Sequence, residues 1–491
     1  MDVKVEIHER FESGLPPADD HPYRTGAWRP QVTEYDAWDL DVDGVIPDDL
    51  AGVYLRNTEN PLLPPIARYH PFDGDGMLHS IRFGGGAATY HNRFVRTDGF
   101  LAEREELRSL WAGVAELPSS AERTDGCHGP RPRMKDGSST DVIVHRGSAL
   151  SSFWMCGDLY RLDPVTLDDL GKEDWGGHAP PGGVSAHPKV DEHTGELLFF
   201  NYTNDDPYMR YGEVDAAGVL TNVVDVTLPG PRLPHDMAFT EHYAILCDLP
   251  MFHDPIAAAE GVYYLRFYPE LPTRFAIVPR GGTADRIRWF EAAPTFVLHW
   301  INAYEDGDEI VLDGFFQNNP SPAKRPDLTV EQNLFRYLDL HTLESTAHRW
   351  RFNLVTGECR EEPLGDDVRE FGTINGRHGG RPYRYAYNAV AAEGWFGFVG
   401  VSRLDVETGD QETYLLPDGV YASETTMAPR VGSGAEDDGY LVTITMDTVD
   451  DRSECLVFDA ANLADGPLAR IALPERICSG THATWAGIDR L

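Results

Sequence analysis

The sequence predicts an all-β fold closed on itself, a β-propeller. Three observations carry this. Short strand-like runs recur along most of the chain, turn chemistry separates them, and good helical patterns are few. The clearest runs are 88–96, 196–202, 309–316, 396–401 and 440–445. Turn signals stand at Asp73-Gly74-Asp75-Gly76, Asp215-Ala216-Ala217-Gly218, Glu305-Asp306-Gly307-Asp308 and Thr408-Gly409-Asp410. The 47 glycines and 35 prolines suit a fold made of many tight turns. At 491 residues a propeller accommodates this many strands better than a sandwich does.

The elements follow in order. Residues 1–40 read as an irregular segment, punctuated by Pro16, Pro17, Pro22 and Pro30. Strand runs and turns then alternate to the end, so the whole of 1–491 is one domain. The best helical patterns are 101–115 and 254–261.

Bulk composition narrows the function classes. Hydrophobic content of 41% and aromatic content of 11% describe a globular protein with a substantial core. A net charge of −38 excludes nucleic acid and disfavours anionic membranes. Six scattered cysteines without a CxxC pair argue against a disulfide framework and a zinc ribbon. The N-terminus lacks a basic segment followed by an apolar run, so a cytoplasmic protein is expected. Leu249-Pro250-Met251-Phe252 and Val262-Tyr263-Tyr264-Leu265 form a membrane-contacting patch unless core packing covers them, which is the preferred reading. Oligomeric state is left open.

The chemistry concentrates in four histidines. They are His187 in Ser185-Ala186-His187-Pro188-Lys189, His235 in Leu233-Pro234-His235-Asp236, His299 in Leu298-His299-Trp300-Ile301-Asn302, and His482 in Gly480-Thr481-His482-Ala483. Imidazole suits iron, zinc, copper and nickel. Positions this far apart meet only where strands of different sheets converge on one axis.

These contexts resemble the carotenoid cleavage oxygenase family, which includes the lignostilbene dioxygenases. The resemblance runs nearly end to end. It takes in Leu55-Arg56-Asn57-Thr58-Glu59-Asn60-Pro61, Phe72-Asp73-Gly74-Asp75-Gly76-Met77-Leu78-His79, Asn92-Arg93-Phe94-Val95-Arg96-Thr97, Pro207-Tyr208-Met209-Arg210-Tyr211-Gly212 and the four histidine segments. It implies a seven-bladed β-propeller, with loops and short helices capping the metal-bearing face. It also implies Fe(II) held by His187, His235, His299 and His482, and cleavage of a conjugated alkene by O2 into two carbonyl products. The resemblance further implies that Glu370 and Glu424 accept the outward ring N–H of ligand histidines, and that Thr140 lines the oxygen site. Such partners fix tautomer and orientation.

Two departures stand out. The family's third glutamate falls at Met155, in Phe153-Trp154-Met155-Cys156-Gly157-Asp158, so one ligand, His235, loses its carboxylate partner. Asp158 is the nearest acid, and is expected to be displaced outward. The lysine and tyrosine that stilbene-cleaving relatives direct at a phenol correspond to Trp154 and Phe100. Phe100, Trp154, Met155, Trp300, Phe315 and Phe316 are the expected pocket walls, and the expected substrate is a hydrophobic or aromatic alkene.

Plainer readings hold elsewhere. His79 is expected to be structural, Asp73–Gly76 a turn without calcium, Glu305 a strand-end residue and Cys127-His128 a surface loop. The leading function is a non-haem Fe(II) dioxygenase acting on an apocarotenoid, stilbenoid or phenylpropanoid-like compound. The alternatives are an iron-dependent isomerase or other oxygenase of the same fold, and a non-catalytic binding propeller. No GxSxG signature supports a nucleophilic hydrolase.

Overall fold

Consecutive strands pair antiparallel, and three of the sheets are four-stranded meanders, in a computed structural model that describes residues 3–259 and 264–491. All five strand runs named above are strands, at Ala87–Phe94, Leu197–Tyr202, Glu309–Gln317, Phe398–Asp405 and Gly439–Asp447. Their sequences explain this. Leu197–Tyr202 is buried on both faces and pairs along its whole length with Met209–Val214. Gly212 sits opposite Phe199, where any Cβ would meet the ring at 2.1 Å.

The first sheet gathers both ends of the chain. Its order is Lys4–Arg10, Thr33–Trp38, Ala87–Phe94, Gly76–Gly84, Gly52–Glu59 and Gly480–Gly487. The last strand lies against Gly52–Glu59, so the chain closes on itself through backbone pairing. The second sheet starts at Asp141–His145, the third at Lys189–Val190 and the fourth at Ala238–Phe239. A continuous 13-stranded sheet then begins at Trp300–Asp306. It bends through Cys359–Thr373, whose first part pairs with Ser345–Asn353 and whose last part pairs with Tyr385–Ala391.

The core lies between successive sheets. Val53 and Leu55 pack on Val142 and Ala149. Leu150 and Leu159 pack on Leu197 and Phe199. Ile245 and Phe275 pack on Ile310, Leu312 and Trp350. Each such side chain contributes about 1.5–3 kcal/mol on full burial.

Three expectations need correction. Residues 1–40 are not wholly irregular, because Lys4–Arg10 and Thr33–Trp38 are paired strands. The prolines fall in the connection between them. The helix expected at 101–115 is Asp98–Glu106. Thr97 caps its start by accepting the Phe100 N–H at 2.9 Å, and Leu107 stops it with a left-handed backbone. The helix expected at 254–261 is Pro255–Ala259 as far as it is described; Glu260 and Gly261 lie outside the described residues. Leu249, Met251 and Phe252 are buried, while Val262 and Tyr263 lie outside the described residues. No described helix is long and apolar enough to cross a membrane.

Candidate metal centre

The four histidines stand where sheets begin. His187 lies two residues before Lys189–Val190, His235 three before Ala238–Phe239, and His299 one before Trp300–Asp306. His482 sits inside Gly480–Gly487, where the register shifts between Gly480 and Ala483. A register shift also follows His299, between Trp300 and Asn302. Such bulges turn a strand and re-aim its side chains. His187 has φ +67°, a left-handed backbone unusual for a residue with a Cβ and found where surroundings hold a functional side chain in place.

The imidazoles converge. One ligand atom from each of His187, His235, His299 and His482 lies within 4.8 Å of the other three. His187 Nε2 and His235 Nε2 are 3.2 Å apart. His299 Nε2 is buried and has no hydrogen-bond partner. Burial lowers every one of the four pKa values, His299 to about 3 and His482 to about 4. Four neutral rings therefore present lone pairs to one point, which is what a divalent metal requires.

Carboxylates stand beside three of the four rings, closest at His299 and His482 and at 3.6 Å from His187 Nδ1 for Asp141. Glu370 Oε2 lies 2.7 Å from His299 Nδ1 and accepts the Phe371 N–H at 2.8 Å. Glu424 Oε2 lies 3.3 Å from His482 Nδ1 and accepts the Ala483 N–H at 2.5 Å. Burial raises both carboxyls, Glu424 to about 8. A cation at the centre is the charge that would offset this. Among the described residues no carboxylate is hydrogen-bonded to His235. Asp158 instead pairs with Lys172 at 2.7 Å, displaced outward as expected.

Two acids that the sequence did not single out tie the sheets together. Asp141 Oδ2 accepts the His187 N–H at 3.1 Å. Asp236 accepts the Trp300 N–H at 2.9 Å and pairs with Lys189 at 2.7 Å, joining the segments of His187, His235 and His299.

A small cavity of about 40 Å³ touches His235, His299 and His482. Its aromatic wall is Phe72, Trp154, Tyr337, Phe371 and Phe396. Phe371 stacks on His482 with ring centroids 4.7 Å apart. Thr140 also lines it, and so do Glu59 and Thr481. A larger cavity of about 550 Å³ reaches His187 and His482 on the side of Lys189 and Arg377.

Of the expected walls, only Trp154 lines the small cavity. Phe100 belongs elsewhere: the helix start carries it into a cluster with Phe11 and Phe94, stacked on Phe94 at 5.1 Å. Met155 packs in the core with Phe153, Leu233 and Met237, its Sδ 4.0 Å from the Tyr202 hydroxyl. Trp300 packs on Trp350 and borders the larger cavity. Phe315 is buried with Ile301 and Tyr383, and Phe316 packs on His348. Strand alternation decides Phe315 and Phe316, since neighbours in sequence face opposite sides, whereas Phe100 lies in a helix and Met155 in a turn.

Sheets of this order around four converging imidazoles define a β-sheet protein with an all-histidine metal centre. The chain belongs to the family described as retinal pigment epithelial membrane protein, the carotenoid cleavage oxygenases, whose pattern matches residues 28–487. It is 31% identical to a carotenoid 9,10(9',10')-cleavage dioxygenase 1 of Phaseolus vulgaris, over 99% of this chain and 93% of the relative. It is 29% identical to an isoeugenol monooxygenase of Pseudomonas nitroreducens, over 94% of this chain and 98% of the relative. The fold matches the crystal structure of Pseudomonas brassicacearum lignostilbene dioxygenase with a TM-score of 0.83 and 28% identity, covering 96% of this chain and 100% of that one.

Proposed function

We propose that this protein is a non-haem Fe(II) dioxygenase that cleaves the conjugated double bond of a compact aromatic alkene, stilbenoid or phenylpropanoid-like, or of an apocarotenoid. The observation that carries this reading is the meeting of four neutral imidazoles with an aromatic-walled cavity. The sheets fit seven blades, the long sheet counting as three, with the closing strand Gly480–Gly487 completing the first.

The residues fit iron. Four imidazoles supply its donors, and Glu370 and Glu424 hold His299 and His482 with Nε2 free for it. Bound there, Fe(II) would supply activation of O2. The protein's own contribution is placement. Phe371, Phe396 and Trp154 hold a planar alkene by its faces and keep water from the reacting bond. Thr140 keeps a hydroxyl at the cavity, accepting the Trp154 N–H at 3.1 Å. A cavity of about 40 Å³ favours a short substrate over a long polyene. One O2 and one C=C give two C=O groups, so the balance closes without an external reductant.

The test is O2 uptake by Fe(II)-loaded protein on a panel of stilbenes, phenylpropenes and apocarotenals, with product masses read in parallel. Paired carbonyl fragments with one O2 consumed per alkene are expected. A rearranged but intact skeleton would make the protein an isomerase, and binding without uptake would make it a non-catalytic binder.

A further inference from the structure

The small cavity contains one carboxyl group that the metal centre does not use. Glu59 ends the strand Gly52–Glu59 and is 1% exposed. Among the described residues no cation is hydrogen-bonded to it, although the buried Arg56 acts on it through space. Arg56, the nearest in sequence, donates to the Cys478 carbonyl at 2.9 Å instead. Glu59 Oε1 has a single contact, 3.2 Å from Thr481 Oγ1. That hydroxyl has one proton and a shorter contact, 2.7 Å, to the Thr140 carbonyl. Glu59 Oε2 has no partner at all. An unsatisfied buried polar group costs about 1–3 kcal/mol, and in a ligand cavity its natural complement is the ligand. The remaining wall is aromatic or aliphatic, apart from Thr140, Thr481 and the histidines.

We propose that Glu59 is the polar anchor of the substrate site, recognising a hydroxyl group on the aromatic alkene. A carboxyl exchanges hydrogen bonds with a hydroxyl in either protonation state, accepting when ionised and donating or accepting when neutral. A methyl ether can only accept, and only from the neutral carboxyl, while a hydrocarbon end neither donates nor accepts. The indole of Trp154 lines the same cavity and its Nε1 is also unpartnered, giving a second polar point beside the aromatic wall. This inference rests on the alkene-cleavage reading only in placing the substrate in this cavity. It adds selection for a phenolic or alcoholic end to the expectation of a hydrophobic or aromatic alkene.

The test is binding, measured without oxygen on the metal-loaded full chain by tryptophan fluorescence quenching. The probes are trans-4-hydroxystilbene and its methyl ether. The wild type is expected to bind the hydroxyl form at least about tenfold more tightly. Glu59→Leu is expected to bring the two affinities together, and Glu59→Gln to keep most of the preference. Glu59→Met substitutes for the leucine variant if that one fails to fold, with metal content checking each. Equal affinities in the wild type, or a preference that survives Glu59→Leu or Glu59→Met, would overturn the anchor. A preference that vanishes with Glu59 in a protein that consumes no O2 would keep the anchor and sink the cleavage reading.

Discussion

The two halves of the histidine centre are held differently. His299 and His482 each back onto a buried glutamate, Glu370 and Glu424. His187 and His235 are held mainly through the backbone around them, by Asp141 at the His187 N–H, with its Oδ2 a longer 3.6 Å from the His187 ring, and by Asp236 between Lys189 and Trp300. In the first half Glu370 bonds directly to the His299 ring and Glu424 stands 3.3 Å from the His482 ring. The second fixes ring position by fixing the chain. Near His235 the chain supplies no carboxylate: Met155 lies in the apolar cluster that also holds Leu233 and Met237.

The comparison breaks most completely if a ring on the supported side is removed. His482→Ala is expected to abolish O2 uptake and stoichiometric iron binding, as metal analysis and an oxygen electrode would show. Activity retained in this variant would mean that His482 is not a ligand. Glu370→Gln should be milder, leaving the ring in place but lowering iron affinity on the order of 10–100-fold. Chelator competition measures this, and an unchanged affinity would deny Glu370 any hold on the metal.

Met155→Glu sharpens the comparison from the other side. A carboxylate at this position should raise iron affinity by roughly tenfold by supporting His235. It should also lower the stability of metal-free protein by about 1–3 kcal/mol, because it buries a polar group in an apolar cluster. Denaturant unfolding and chelator competition read the two effects, and a stability loss without an affinity gain would place Met155 out of reach of His235. Asp236→Asn is expected to have the smallest effect on the metal, less than Glu370→Gln, with a loss of roughly 1–3 kcal/mol in unfolding free energy. A larger metal effect than that of Glu370→Gln would reverse the ranking of ring support over chain support.

What the sequence made legible follows the same division. The four histidines, Glu370 and Glu424 were readable because each sits in a distinctive local context. Asp141, Asp236 and Glu59 were not, being three acids among 80. Their roles arise from contacts between sheets, which no local spacing encodes. The pocket walls failed for a related reason. Phe100, Met155 and Phe315 are close in sequence to site residues, but strand alternation and a helix start send their side chains into other cores. Short apolar runs bounded by turn chemistry gave the central strands. The N-terminal strand Lys4–Arg10 escaped notice because it lies at the sheet edge with Val5 and Ile7 exposed, so no buried face marks it.

The most direct test of the four-histidine centre is X-ray absorption at the iron edge of the Fe(II)-loaded protein. The account predicts scattering from four imidazole rings in the wild type. Fewer than four rings in the wild type, or a sulfur or protein carboxylate bound to the metal, would contradict it.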